Sequence, residues 1–536
     1  MTVRTPAFAI TALATLITAT LVARQDKPRE NVPVSQPPEF EMELPTVAPQ
    51  SSQSPFVVPT SFGWHVAALL TVGDSAGENV YQMVGIPDGL GALPGRPGLF
   101  GLHFSSREYI TVYMNHELGS GAGAVRAHGK AGAFVSEWVI KLDTLEVKSG
   151  ADLIRDVYLW NGTEHVLSNG APETEFGRFC SADLAAARAF FNPWSFRGYF
   201  GRLYLNGEEV GNEGRAFAHV LTGFDKGETY QLPHLGRMSY ENAVAHPDAG
   251  NRTLVVNLDD STPGQVYLYA GTKQWTGTPV QRAGLVGGSL FGIRVTDGGA
   301  NYANGPVPFE SNGAINGTFQ LVDLSDVAAG PGATLQTTSR TRGVTEFARP
   351  EDGQWDTRHS NVFYFVTTGA SVATPPNPAQ TQTARLYKLT FNSLQNPTGG
   401  RIELVVDSAS LIGTDLQTAR SFDNITVDES GRVLVQEDPG NTAYIAKTWR
   451  IDPRHPFNAE QILESDRARF EPGGSMFLTQ DEENSGIIEI TDLVTHANWF
   501  RHGRRYYLAD TQVHRPLPSP LVEDGQLYLI ASRRLR

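Results

Sequence analysis

The residues most able to do chemistry in this chain are acids gathered in short runs: Asn115-His116-Glu117, Glu208-Glu209, Glu241-Asn242, Glu351-Asp352 and Glu437-Asp438. Asp259-Asp260 and Asp481-Glu482-Glu483 add two more. Neighbouring like charges repel, and a cation seated between them offsets that cost. Carboxylate and amide oxygens are the donor set that hard ions such as calcium or ferric iron prefer. One doublet alone is ordinarily a solvated turn, so the signal lies in the number of doublets and in the breakers and aromatics beside them. Arg237, four residues before Glu241, and Arg349, two before Glu351, could set guanidinium donors beside a metal-bound anion, or could simply neutralise their acidic neighbours.

Other chemistries leave no trace. There is no calcium loop with alternating ligands, no His-Glu-x-x-His, no Cys/His zinc cluster, no nucleophile elbow and no nucleotide-binding glycine loop. His116 and His234 lie in no spacing that identifies a ligand. Cys180 is the single cysteine, which excludes a disulfide within the chain and leaves it buried, intermolecular or a ligand. The formal net charge is -14 and no Lys/Arg block could follow a phosphate backbone, so nucleic acid is not an expected partner.

Strands must position these acids. Short Val, Ile, Leu, Tyr, Phe and Thr runs such as 109–113, 253–257, 265–269 and 362–366 recur between Gly, Asp, Asn and Pro turns. Periodic helix is scarce, with 183–190 the best short candidate. A degraded phrase of acidic loop, strand, turn and aromatic strand returns near Asp259, Glu351, Asp423 and Asp481, which predicts an all-β fold and a β-propeller ahead of a sandwich. Ahead of it, Arg4 and the apolar run Ala7 to Ala23 predict a signal peptide or N-terminal anchor over 1–23. Residues 24–55, rich in Pro, Ser, Gln and Glu, predict a flexible linker, with the folded domain spanning 56–536.

Several of these segments, in this order, resemble the PhoX family of exported alkaline phosphatases. They are Asn115-His116-Glu117, Phe179-Cys180-Ser181, Asn192-Pro193-Trp194, Glu208-Glu209 and the run Gly236 to Glu241, followed by Asp259-Asp260, Arg349 to Asp352, Asp423-Asn424 and Gln436-Glu437-Asp438. The resemblance implies a β-propeller, six-bladed, that hydrolyses phosphomonoesters with ferric iron and calcium. Carried onto matching positions, it implies Cys180, Glu209, Glu241 and Glu351 as the iron set, and Glu117, Asp259, Asp260, Glu437 and Asp438 as the calcium set. Asn115 and Arg237 would stand near phosphate as the catalytic pair. It further implies a small phosphorylated substrate, a monomer, a periplasmic or extracellular location, and no membrane contact beyond a possible anchor at 1–23.

Two departures stand out: an expanded interval containing Asn192-Pro193-Trp194-Ser195 before Glu208, and Tyr240 where a histidine is more usual in the family. Two alternatives keep the acids without the thiolate. One is a calcium-dependent phytase-like or lactonase-like propeller; the other is a non-catalytic, calcium-stabilised binding propeller outside the cell.

Overall fold

A computed structural model describes residues 44–98, 101–370 and 380–534; the expected leader at 1–23 and the linker as far as residue 43 lie outside them. The β-rich texture of the sequence becomes antiparallel sheet nearly throughout. Every strand-like run above falls in a strand, for example Tyr109–His116, Arg252–Asp259, Val266–Thr272 and Val362–Thr367. The helix expected at 183–190 is confined to Ala187–Phe190, because Asp183 and Leu184 still pair in a strand with Leu205 and Tyr204. Among the described residues the longest helix is Gly332–Thr341, which no hydrophobic periodicity announced.

Six strands organise everything else, and they are labelled in chain order: β1 Pro87–Pro94, β2 Phe179–Leu184, β3 Tyr240–Ala245, β4 Pro350–Trp355, β5 Phe422–Val427 and β6 Glu482–Glu489. Each one begins an antiparallel series that runs outward, as β3 does through Arg252–Asp259, Val266–Thr272 and Ser289–Asp297. The six also pack side by side in a closed cycle, β1 to β2 and onward to β6 and back to β1. The expected all-β propeller architecture is therefore what the chain adopts. Its outward strands bury alternate apolar residues between neighbouring sheets, with Trp138, Trp449, Tyr267 and Tyr387 among the largest fully buried side chains.

The ends of the described chain close the cycle. His65–Thr71 pairs with Glu523–Ala531 at the outside of the series that β6 begins, and Val57–Pro59 pairs with Glu460–Ser465 outside the series of β5. Val47 already bridges Ala68, and Ala48 is buried. Tying the first strands to the last removes the open seam that would otherwise leave unpaired edges.

Candidate metal centre

The second residue of every inner strand is a metal-ligating type: Asp88, Cys180, Glu241, Glu351, Asp423 and Glu483. A register shift accompanies each, at Pro87/Leu90, Phe179/Ala182, Tyr240/Asn242, Pro350/Gly353, Phe422/Ile425 and Asn484/Ile487. Such shifts re-aim side chains that regular pleating would send into a sheet face. Six outward series thereby each deliver one ligand to the same end of the central channel.

The donors converge in three groups, within each of which candidate ligand atoms lie no more than 4.8 Å apart: Asp88, Glu117 and Cys180; Glu241, Glu351 and Asp423; and Asp423, Asp438 and Glu483. Asp423 belongs to two of them. Cys180 Sγ joins the first group to the second, lying 3.4 Å from Asp88 Oδ2 and 2.9 Å from Glu241 Oε2. Glu241 Oε1 is buried and has no hydrogen-bond partner.

A second set of acids follows the next strand outward, and the two-residue period of a strand explains it. In Glu208-Glu209, Asp259-Asp260 and Glu437-Asp438 the first acid ends a strand and the second lies just beyond it. The first acid is consumed by the scaffold. Glu208 accepts from Arg215 Nε and Nη2, and Asp259 accepts from Gln336 Nε2 at 2.6 Å and from Ser239 N and Ser261 Oγ. Glu437 accepts from Trp449 Nε1, Tyr444 Oη and the backbone of Arg420 and Lys447. The second acid turns to the channel mouth: Asp438 enters the third group, while Glu209 and Asp260 carry arginines. Glu117 likewise follows the strand that ends at His116.

Two arginines hold this ring of charge together. Arg178 Nη2 stands 2.5 Å from both Glu117 and Glu209, and its side chain is about half exposed. Arg349 grips Asp260 with two 2.8 Å bonds and lies 3.0 Å from Glu351. Burial and mutual repulsion push Asp88, Glu241, Glu351 and Asp423 well above the usual carboxylate range. Burial, then Asp88 and Glu241, push the Cys180 thiol up as well. Burial also opposes ionisation of Asp260, but the Arg349 guanidinium overrides it and keeps that acid below its ordinary value.

A layer of neutral and acidic groups beneath the ring fixes it. Asn242 Nδ2 donates to Asp352 at 2.7 Å and to Ser181 Oγ at 3.3 Å, Asn424 Nδ2 donates to the same hydroxyl, and Gln512 Nε2 bridges Asp88 and Glu117. Asn115 belongs to this layer: its amide donates to the carbonyls of Cys180 and Ser181 and accepts from Tyr204 and Asn206, so it holds the start of β2 in place.

Of the residues singled out in the sequence, then, the fold assembles Cys180, Glu117, Glu241, Glu351 and Asp438, sets Glu209 and Asp260 at the rim, and spends Asp259, Glu437 and Asn115 on support. Arg237 is instead paired with the exposed Glu213 at 3.1 Å. Asp88, Asp423, Glu483 and Arg178 are the members that sequence reasoning did not assign. A signal for two was present: Phe422-Asp423-Asn424 and Glu482-Glu483-Asn484 repeat the phrase of Tyr240-Glu241-Asn242, an acid then an asparagine at a strand start.

A propeller whose inner strands ring one channel mouth with carboxylates and a thiol presents acidic clusters that could bind metal. A family model described as Alkaline phosphatase PhoX matches residues 225–495, just over half of the chain, and the chain belongs to that family. The solved structure of Pseudomonas fluorescens PhoX in complex with vanadate, a transition state analogue, is similar in fold: TM-score 0.61 at 13% identity, covering 92% of this chain and 97% of that one. Comparison with the curated proteins finds no match.

Proposed function

We propose that this chain hydrolyses phosphomonoesters at a metal centre built from the channel-mouth ring. The observation that carries the reading is the delivery of one ligand by each of six inner strands, in a chain of the PhoX alkaline phosphatase family. The donor set fits metal ions: a buried unpartnered Glu241 oxygen and three groups of clustered acids need positive charge to be ionised together. Cys180 with Asp88, Glu117 and Glu241 suits ferric iron, and the all-oxygen group of Asp423, Asp438 and Glu483 suits calcium. When bound, such ions neutralise phosphoryl oxygens and lower the pKa of a coordinated water.

The protein's own part is charge placement. Arg178 presents guanidinium N–H groups at the mouth while Glu117 and Glu209 fix its direction. Arg349 is held by Asp260 and Glu351 and lends the same sign of field. The reading is tested with p-nitrophenyl phosphate: turnover should follow added iron and calcium, vanish with chelator and be inhibited by vanadate. A metal-replete, folded preparation with no turnover on any phosphomonoester would reject it. Action outside the cytoplasm is part of the proposal, and deleting Met1 to Ala23 should then retain the protein inside the cell.

A further inference from the structure

The hairpin after β2 leaves the propeller at the end opposite the metal-ligand ring, since Cys180 is the second residue of β2 and Leu184 its last. From Leu184 to Gly207 the sequence carries three arginines and no acid, in a chain of net charge -14. Aromatic rings crowd the same stretch and face water. Trp194 is 83% exposed, Phe196 70% and Phe200 77%, and Phe224 on an adjoining loop is 86% exposed. Leu102, Phe191, Phe200 and Phe224 line a single apolar hollow of about 710 Å³.

These rings are held outward by a built scaffold. Phe191 and Asn192 pair with Gly198 and Arg197, and Asn251 accepts bonds from Asn192 Nδ2 at 2.7 Å and Ser195 Oγ at 2.6 Å. Arg197 lies over the Trp275 ring at 5.4 Å, and Arg188 pairs with the exposed Asp248 at 2.9 Å. Contiguous exposed apolar surface of this kind marks an interaction site.

We infer that this end of the propeller seats on an anionic lipid surface. Tryptophan and phenylalanine beside arginine are the pairing that settles at a membrane interface, rings at the acyl boundary and guanidinium groups among headgroup phosphates. Charge complementarity selects the occupant: Arg188, Arg197, Arg202 and the adjoining Arg282, which lies over the Tyr199 ring, outnumber the neighbouring Asp225 and Asp248 and turn a basic end of an acidic molecule toward an anionic bilayer. The ligand ring then points away from the membrane, open to soluble substrate.

The test uses the full chain with vesicles of phosphatidylcholine alone or with 30% phosphatidylglycerol, a composition of roughly physiological anionic charge. Co-sedimentation should be at least threefold stronger with the anionic lipid. It should fall at least tenfold in Trp194→Ser/Phe196→Ser/Phe224→Ser, whose unfolding temperature should match wild type because all three side chains face solvent. Brominated lipid should quench wild-type fluorescence more than that of Trp194→Phe. Equal binding by wild type and the triple variant would assign lipid affinity to another part of the chain and overturn the inference, as would quenching independent of Trp194. A lipid-free dimer that the triple variant abolishes would make the patch a contact between copies instead.

Discussion

Cys180 Sγ lies 2.9 Å from Glu241 Oε2, so the only thiol of the chain and a carboxylate from the neighbouring inner strand share one small volume. Both are buried, and burial with the neighbouring carboxylates raises each of them: Asp88 and Glu241 act on the thiol, Glu351 and Asp88 on Glu241, with the hydrogen bond from Cys180 offsetting only part of the latter. A metal ion would resolve that conflict by favouring both anions at once. Cys180→Ser is accordingly expected to lose iron and at least tenfold in phosphomonoester turnover while its far-UV circular dichroism stays β. Loss of a visible thiolate-to-iron band should accompany it. Equal iron, turnover and spectrum in both proteins would remove Cys180 from the centre.

Asp423 and Glu437 separate ligand from scaffold. Asp423 belongs to two donor groups, whereas all the hydrogen-bonding capacity of Glu437 is directed at Trp449, Tyr444 and two backbone amides. Asp423→Asn is expected to lower total metal content by more than one equivalent with little change in the metal-free unfolding temperature. Glu437→Gln should keep its metal and lose about 1–3 kcal/mol of stability, the ordinary cost of a disturbed buried acceptor. The same metal loss in both variants would undo the distinction.

How much of this was legible in the sequence follows from the geometry. The all-β fold showed because apolar runs at strand length survive in any context. Doublets such as Glu437-Asp438 drew the eye to the right ends of the right strands, but a doublet does not say which member faces the mouth; strand period and register decide that. Asp88 stayed hidden because Pro87-Asp88-Gly89 reads as a turn, and the register shift that aims it inward is a property of the paired strands. Arg178 has no local mark at all: its partners, Glu117 and Glu209, are set beside it only by the fold.

Buried acids give the metal-free protein a defined response to pH. Burial raises Asp352 to about 6 and both Asp259 and Glu437 to about 7, and it raises Glu241, Glu351 and Asp423 further. In the unfolded chain such groups titrate near pH 4. Above that value the folded state holds more protons than the unfolded one, so stability is fully present below about pH 4 and is lost as pH rises through the folded pKa values. Chelated protein should therefore unfold at lower temperature at pH 8 than at pH 5, and metal loading should reverse the trend because ligands bind as anions. Thermal scans with and without chelator decide it; a flat or rising profile in the chelated protein would contradict the assignment of these acids.

Arg178 is the residue on which anion recognition should turn. Its guanidinium is fixed on one side by Glu117 and Glu209, and its side chain is about half exposed where the ring opens to solvent. Glu117 first and then Glu209 raise its pKa against the opposing effect of burial, which leaves it permanently charged. If it meets the phosphoryl group, Arg178→Met removes charge-assisted bonds of about 1.5–3 kcal/mol each, equivalent to roughly a tenfold to hundredfold loss in kcat/KM. If it only neutralises Glu117 and Glu209, the same substitution weakens metal retention and leaves the KM of the remaining metal-loaded enzyme unchanged. Arg178→Lys divides the cases further, because a lysine keeps the charge but not the planar fork that grips two acids and an anion together. We expect Arg178→Met to retain metal at saturating concentrations, to raise KM and to weaken vanadate inhibition in proportion, with Arg178→Lys intermediate. Unchanged KM and vanadate inhibition in metal-replete Arg178→Met would place the anion elsewhere on the ring.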